Sequence, residues 1–242
     1  MKKLDLNSDM GEGFGAWEMG NDFALLDDLT SINIACGWHA GDPQRMRPLI
    51  DQALKNNVHI GAHPSHPDLA GFGRREMMIT PQDAYDFVLY QSGALQAFIH
   101  AAGGKLHHVK PHGALYNQAA KNLDLARGIA RAVKDLGEHV ILYGLASSCF
   151  VEAAEEFNVP IWQEVFADRR YTATGALVPR SHPRAMIEDE QEALQQVKMM
   201  SEKGLVNTLD NTQISVQADT LCVHGDNPHA LEFLRLIKKE IH

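Results

Sequence analysis

The feature that most constrains the fold is a regular alternation of short apolar runs with longer amphipathic patterns. Seven runs are strand-sized, and several are apolar on both faces, as parallel strands covered by helices are. They span residues 3–7, 31–36, 58–62, 106–110, 139–143, 160–166 and 220–224. This alternation predicts a parallel α/β fold, and we favour a closed or nearly closed barrel of about seven strands over an open doubly wound sheet.

Helix-boundary signals lie between the runs. Asp42 before a proline is typical of a helix start, and residues 80–83 (Thr-Pro-Gln-Asp) resemble a capping box. Gly137 and Gly204 are placed to end helices, and residues 227–228 (Asn-Pro) are placed to begin the last one. No linker, repeat or shift in composition divides the chain, so we expect one domain over residues 1–242.

The charge balance narrows the class of partner. Acidic residues exceed basic ones and give a net charge of −9, so long-range attraction to nucleic acid or to an anionic membrane is not expected. No apolar run reaches membrane-spanning length, and the first residues have no apolar signal-peptide core. The 3 cysteines are far apart and odd in number, which does not favour a disulfide framework or a cysteine-based zinc site. We expect a reduced, cytoplasmic protein.

Polar, glycine-rich segments follow most of the apolar runs. They read NSDMGEGFG, CGWHAGD, HPSHPDLAGFGRR, KPHGALYN, ADRRY and HGDNP. Because the carboxyl ends of parallel strands form one face of such a fold, and active sites lie there, we expect these segments to converge. The 13 histidines of the chain are unusually many, and several fall in these segments.

The carboxylates and histidines of these segments are the candidate catalytic groups. Asp9 and Glu12 follow the first run, His39 the second and His63 the third. His112 follows the fourth run between a proline and a glycine, a position that does not favour a core histidine. Carboxylates and imidazoles are the usual general bases and acids of enzymes.

Basic groups occur in the same segments. Lys110 ends a buried run, where an ammonium requires a partner or a substrate anion. Of the adjacent Arg74 and Arg75 we expect one to reach the site, with the other exposed to solvent. Residues 171–183 are long for a connection of this kind and are a candidate lid.

Residues 35–42 (ACGWHAGD) offer a Cys–His pair that could be a nucleophile with its base, half a metal site, or a core thiol beside a loop histidine. No residue is spaced to activate Cys36, so we interpret it as a core thiol and Asp42 as a helix cap. His39 remains as the site residue, with Trp38 as a wall of the pocket. The chain contains no G-x-S-x-G, P-loop or H-E-x-x-H motif.

Seven segments in order resemble the LamB/YcsF family, and the resemblance runs from Leu4 to Pro228. They read LDLNSDMGEGFG, NIACGWHAGD, GAHPSHPDLAGFGRR, KPHGALYN, EVFADRRY, LVPRSHP and LCVHGDNP. The chain departs from the family pattern at Trp38, where phenylalanine is common, and at His66, where we expect an aromatic residue such as tyrosine.

The resemblance implies a distorted seven-stranded β/α barrel related to the glycoside hydrolase and deacetylase architecture. It also implies an enzyme that acts with two further subunits, B and C. That enzyme opens the cyclic amide 5-oxoproline (pyroglutamate) to L-glutamate and hydrolyses ATP, its co-substrate, to ADP and phosphate.

For that reaction we assign roles by residue type. Lys110, assisted by Arg75 or Arg170, would hold the substrate carboxylate or the transferred phosphoryl group. Asp9 or Glu12 would be the general base, and His63 or His112 would donate a proton to the departing nitrogen. Further candidate substrate-binding residues are Tyr116, Arg180 and His224.

A divalent metal is a further expectation. Asp9, His39 and His63 follow three consecutive strands, and one carboxylate with two imidazoles is a reasonable ligand set. Two alternative functions remain open from the sequence. One is a stand-alone metal-dependent amidohydrolase or deacetylase that needs no ATP, and the other is a non-catalytic subunit that presents 5-oxoproline to its partners.

Overall fold

A computed structural model describes residues 4–17, 22–223 and 230–241. Seven parallel strands close into a barrel, which confirms the predicted fold. In barrel order they are β1 (Asp5–Met10), β2 (Ser31–Ala35), β3 (His59–His63), β4 (His108–Val109), β5 (Ile141–Leu145), β6 (Ile161–Phe166) and β9 (Thr220–Cys222). Strand β9 pairs with both β6 and β1 and so closes the ring.

Helices connect the strands and cover the barrel. They are α1 (Asp22–Leu25), followed by a 3-10 turn (Leu26–Asp28), α2 (Pro43–Lys55), α3 (Pro81–Ala101), α4 (Gly113–Ala119), α5 (Leu123–Leu136), α6 (Cys149–Phe157), α7 (Glu190–Lys203) and α8 (Ala230–Ile241). A two-stranded antiparallel ribbon, β7 (Leu205–Asn207) with β8 (Gln213–Ser215), lies outside the barrel sheet. Among the described residues, no helix is both long and apolar enough to cross a membrane.

The predicted helix caps are present. The Asp42 carboxylate accepts hydrogen bonds from the backbone N–H groups of Gln44 and Arg45 and so begins α2. Thr80 and Asp83 form a reciprocal capping box at the start of α3. Gly204 ends α7 in the left-handed conformation, at φ 62°. Helices α1, α4 and α6 and the ribbon were not predicted, and the Asn-Pro signal at 227–228 falls outside the described residues.

The strand boundaries differ from the prediction by up to three residues. The first run was expected to end at Asn7, but β1 continues to Met10 because its pairing with β2 extends to Met10 opposite Ile34. Asp9 therefore lies on a strand and not in the loop that follows it. His63 likewise belongs to β3, opposite Ala35.

The interior of the barrel is polar, whereas the layer between strands and helices is apolar. The Asp5 carboxylate accepts hydrogen bonds from Ser31 Oγ, Tyr143 OH and Thr220 Oγ1, which come from three other strands. A Cβ at Gly61 would lie 2.1 Å from Nε2 of His108, which is too close. Glycine at this position therefore leaves room for the His108 ring inside the barrel. The polar interior is continuous with the site at the carboxyl ends of the strands.

Candidate active site

A cavity of about 440 Å³ opens at the carboxyl ends of the strands. Its wall combines carboxylates, imidazoles, basic side chains and an apolar stretch, which is typical of a site for a small polar ligand. The residues used below are Asp9, Glu12, His63, Arg74, Lys110, His112, Tyr116, Phe166, Arg169, Leu177, Val178 and Arg180. They follow or end strands β1, β3, β4 and β6, so the predicted convergence of distant segments is present.

Lys110 lies at the floor of the cavity and is almost fully buried. Its Nζ is 2.7 Å from Oε1 of Glu164 and 3.1 Å from Oδ1 of Asp9. It also donates to Oδ1 of Asn7 at 3.1 Å and contacts Sγ of Cys222 at 3.2 Å. Since an ammonium group has three donors, these neighbours occupy all of them.

The positive charge of Lys110 is therefore stabilised by carboxylates of the protein itself. Burial by itself lowers the pKa of Lys110, but Asp9, Cys222 and Glu164 outweigh it and keep that pKa well above the ordinary value. Glu164 is completely buried and also accepts a hydrogen bond of 2.7 Å from the Tyr116 hydroxyl. Asn33 donates to the same Asp9 oxygen as Lys110, at 2.8 Å, which fixes the Asp9 carboxylate on the inner face of β1.

Nε2 of His63 and Nδ1 of His112 face each other, and in the neutral rings neither of these two nitrogens carries a proton. Nδ1 of His63 lies 2.7 Å from the Lys110 carbonyl oxygen, and Nε2 of His112 lies 2.9 Å from the Phe72 carbonyl oxygen. A carbonyl only accepts hydrogen bonds, so each of these nitrogens carries its ring's proton. The other two nitrogens, His63 Nε2 and His112 Nδ1, are 2.9 Å apart. Two lone pairs at this distance require a proton or a metal ion between them.

Glu12 and His39 complete the group. Oε1 of Glu12 is 3.3 Å from Nε2 of His39 and 3.4 Å from Nδ1 of His112, and the His39 and His112 rings stack at 3.8 Å. Ligand atoms of Glu12, His39, His63 and His112 all lie within 4.8 Å of one another. Burial lowers the pKa of His39 and of His112 well below the ordinary value, and neighbouring imidazoles add to the effect. Neutral rings are the form that binds metal ions.

The predicted metal set was Asp9, His39 and His63. In the structure His39 and His63 lie close to Glu12 and His112. The Asp9 carboxylate instead accepts hydrogen bonds from Lys110 and Asn33. One Asp9 oxygen nevertheless lies 3.3 Å from Nε2 of His63, so it remains adjacent to the group.

Gly73 allows the imidazoles to approach the loop after β3. Its φ is +63°, and a Cβ there would lie 2.9 Å from Cδ2 of His112 and from Cβ of His39. Only glycine adopts this conformation without strain and leaves the space empty. The motif GFGRR in the sequence thus has a packing role beside the two rings.

The predicted substrate-binding residues are distributed unevenly. Tyr116 and Arg180 line the cavity. Arg75 does not line it, because its exposed side chain pairs with Asp68, and its neighbour Arg74 lies on the cavity wall instead. Arg170 pairs with Glu192 at 2.5 Å on the outside of the barrel. His224 falls outside the described residues.

The loop predicted as a lid forms one side of the cavity. Leu177 and Val178 on this loop are buried and belong to the cavity wall. Tyr171 fixes the start of the segment, since its hydroxyl accepts a hydrogen bond of 2.9 Å from the Phe166 backbone N–H. The segment is therefore part of the wall in this conformation.

Cys36 and Trp38 do not line the cavity. Cys36 is a buried thiol that donates to the Ile34 carbonyl at 3.3 Å, and burial raises its pKa to about 12. This agrees with its interpretation as a core thiol. Trp38 packs against Phe87 and Tyr90 of α3, so its prediction as a wall of the pocket was wrong.

Three polar residues of the site were missed from the sequence. Asn7 and Glu164 lie inside strands, where only the barrel geometry reveals that they point inward. Arg169 is 5% exposed and lines the cavity, whereas the prediction chose the adjacent Arg170.

The fold and the site together define a β/α-barrel protein with a carboxylate–imidazole site at the carboxyl ends of its strands, where barrel enzymes carry their catalytic groups. The chain belongs to the LamB/YcsF family, whose profile matches residues 4–242.

Curated relatives and a solved structure are similar over nearly the full length. The A subunit of 5-oxoprolinase from Bordetella pertussis is 56% identical over 97% of this chain and 93% of its own length. The corresponding A subunit from Bacillus cereus is 51% identical over 98% and 94%. The crystal structure of a lactam utilization protein from Thermus thermophilus is 43% identical, with a TM-score of 0.91 over 98% of this chain and 95% of that one.

Proposed function

We propose that this chain acts as the A subunit of an ATP-dependent 5-oxoprolinase, which opens the lactam of 5-oxoproline to L-glutamate and hydrolyses ATP to ADP and phosphate. The observation that carries the proposal is the 56% identity, over 97% of the chain, to a relative named as the A subunit of 5-oxoprolinase. Because that relative is one subunit of an enzyme, we infer that this chain also acts with partner subunits, which we take to be the B and C subunits.

The chemistry explains the need for ATP. A lactam carbonyl is a poor electrophile because it is conjugated with nitrogen. Transfer of the γ-phosphoryl group of ATP to the lactam oxygen releases ADP and makes the ring carbon electrophilic. Water then adds to that carbon, and protonation of the nitrogen breaks the C–N bond to give an acyl phosphate. A second water releases phosphate and leaves the new carboxylate of glutamate.

The surroundings of each side chain indicate its role in this reaction. Oδ1 of Asp9 already accepts hydrogen bonds from Lys110 and Asn33, so this oxygen is a poor base. Glu12 is partly exposed to the cavity, with 18% of its side chain accessible, and we assign it as the general base for the attacking water. His112 lies 3.4 Å from Glu12 and would pass the proton to the departing nitrogen. Lys110 and Glu164 hold Asp9 and the floor of the cavity in place.

A divalent metal ion also fits the group formed by Glu12, His39, His63 and His112. This is an alternative to proton transfer by Glu12 and His112, because a carboxylate or imidazole lone pair that binds a metal ion is not free to carry a proton. The supporting observation is the pair of opposed lone pairs on His63 and His112, which a cation would satisfy. Imidazole nitrogens with one carboxylate suit zinc and related ions. When bound, such an ion polarises a carbonyl oxygen.

The same group supports a second candidate, a metal-dependent amidohydrolase that needs no ATP. Turnover of 5-oxoproline separates the alternatives when it is measured for the chain alone and with the partner subunits, with and without ATP. We expect turnover only with partners and ATP. Cleavage by the isolated chain without ATP would contradict the proposal and favour the amidohydrolase.

Variants test whether this chain is catalytic. Glu12→Gln should lower kcat in the assembled enzyme by about 10²–10⁴-fold, the usual contribution of a general base. Glu138→Gln is the matched control, because Glu138 is exposed and precedes β5 at the opposite end of the barrel. Full activity of Glu12→Gln, Asp9→Ala and Lys110→Ala in folded complexes would indicate instead a subunit that only presents the substrate.

A further inference from the structure

We propose that Arg169, with Arg180 beside it, binds the carboxylate of the substrate at the β6 side of the cavity. This assignment rests on the proposed function and names the group that would select an acidic lactam over a neutral one.

Arg169 is a buried cation with an unsatisfied donor. It is 5% exposed and lines the cavity, and its Nη2 donates to the Val178 carbonyl at 2.7 Å. Its Nε is buried and has no hydrogen-bond partner within residues 4–17, 22–223 and 230–241. A buried guanidinium donor without an acceptor is unfavourable, and the planar fork of arginine matches the two oxygens of a carboxylate. The unsatisfied donor therefore indicates an anionic ligand.

The electrostatic surroundings agree with an anion. Burial lowers the pKa of Arg169 to about 10, and the positive charge of Arg180 acts in the same direction, whereas the Asp168 carboxylate opposes the two effects without cancelling them. Arg169 is still charged at neutral pH, so two cations share one wall of the cavity. A bound carboxylate would lessen their repulsion and restore the hydrogen bonding lost on burial.

The layout of the cavity fits the two ends of 5-oxoproline. Glu12 and His112 come from the loops after β1 and β4, whereas Arg169 comes from the loop after β6. Phe166, Leu177 and Val178 add apolar wall, which suits the ring methylenes. With the lactam carbonyl at Glu12 and His112, the carboxylate on the other side of the ring nitrogen is available to Arg169.

The neighbouring Arg170 cannot take this role in the same conformation. Its guanidinium forms two hydrogen bonds with the Glu192 carboxylate, on the opposite side of the segment. The two adjacent arginines therefore have different functions, one toward the cavity and one toward helix α7.

The test compares 5-oxoproline with 2-pyrrolidinone, the same lactam without the carboxylate. Calorimetry measures binding of each to the wild-type complex and to the Arg169→Met, Arg169→Lys and Arg127→Met complexes. Arg127 is an exposed arginine paired with Asp124 and Glu156, and it serves as the matched control. We expect Arg169→Met to weaken 5-oxoproline about 10- to 100-fold, the range of a charge-assisted hydrogen bond, with 2-pyrrolidinone changed less than about two-fold. Arg169→Lys should recover part of the loss.

Three outcomes would overturn the assignment. Equal weakening of both lactams would show a structural role for Arg169. Unchanged 5-oxoproline binding with weakened binding of inorganic phosphate would assign Arg169 to the phosphoryl group. Binding of neither lactam by the wild-type complex would overturn the proposed function, and this assignment with it.

Discussion

Nζ of Lys110 lies 2.7 Å from Oε1 of Glu164 inside the barrel, and both side chains are buried. Lys110 also neutralises Asp9, so a single ammonium lies between two carboxylates. Removal of the ammonium would leave the completely buried Glu164 and the partly buried Asp9 without their shared cation, and an uncompensated buried charge is strongly destabilising.

Lys110→Met should therefore lower the free energy of unfolding by about 3–5 kcal/mol. Glu164→Gln should cost less, because Lys110 keeps Asp9 as its partner. The double variant should be more stable than Lys110→Met alone, since it removes one of the two uncompensated carboxylates. Urea denaturation of the four proteins measures this coupling, and additive effects of the two changes would contradict it.

The metal site can be tested without any activity measurement. Zinc titration of the purified chain should show binding that Glu12→Gln or His112→Gln weakens at least about 10-fold, because each removes a ligand. Asp9→Asn should bind zinc more tightly than these variants, since Asp9 is held by Lys110 and Asn33. His100→Gln, on the exposed face of α3, is the control. Stronger loss in Asp9→Asn than in Glu12→Gln would favour the ligand set predicted from the sequence.

Cys36 and His39 should differ sharply in their importance. Cys36→Ala removes a buried thiol outside the cavity, so we expect kcat of the assembled enzyme within about two-fold of wild type. His39→Ala removes a ring that stacks on His112 and contacts Glu12, and should lower kcat at least about 100-fold. Because burial raises the pKa of Cys36 to about 12, alkylation by iodoacetamide should be slow. Rapid alkylation of Cys36 with loss of activity would contradict this interpretation.

Acid should destabilise the protein through buried histidines. Burial, with His59 stacked on the ring, lowers the pKa of His107 to about 4, whereas an unfolded histidine has a pKa of about 6.5. The unfolded chain therefore binds more protons between these values, and the contribution present above pH 6.5 is lost as pH falls toward 4. His107→Gln should flatten the dependence of unfolding free energy on pH by up to about 1.4 kcal/mol per pH unit. Identical slopes for wild type and variant would contradict it.

The sequence predicts the barrel well because its signals are local. Each strand is an apolar run, and each polar segment follows one, so the strand count and the face of the site can be inferred without contacts. Asp42 and Gly204 were assigned correctly as helix boundaries for the same reason, since capping depends on residues close in sequence.

Side-chain direction could not be predicted in this way. Successive residues of a strand point to opposite faces, and which face lies inside the barrel depends on how the strands pair, which one strand's sequence does not show. Glu164 inside β6 therefore looked like part of an apolar run. Arg169 and Arg170 follow β6 on a loop, where no periodic pattern distinguishes the residue that lines the cavity. The prediction of Asp9 as a metal ligand missed contacts that only the folded barrel creates. Strand β1 extends to Met10, and the Asp9 carboxylate accepts hydrogen bonds from Asn33 on β2 and from Lys110, which directly follows β4.

The closure of the barrel has a consequence for how the chain is made. Strand β1 pairs with β9, and Asp5 accepts a hydrogen bond from Thr220 across a separation of 215 residues. Contacts this distant in sequence form late, after most of the chain exists. During translation, β1 can pair with β2 early, but it cannot pair with β9 until almost the entire polypeptide has been synthesised. A ribosome stalled before residue 220 would therefore display an open sheet with an exposed first strand, the kind of intermediate that chaperones bind.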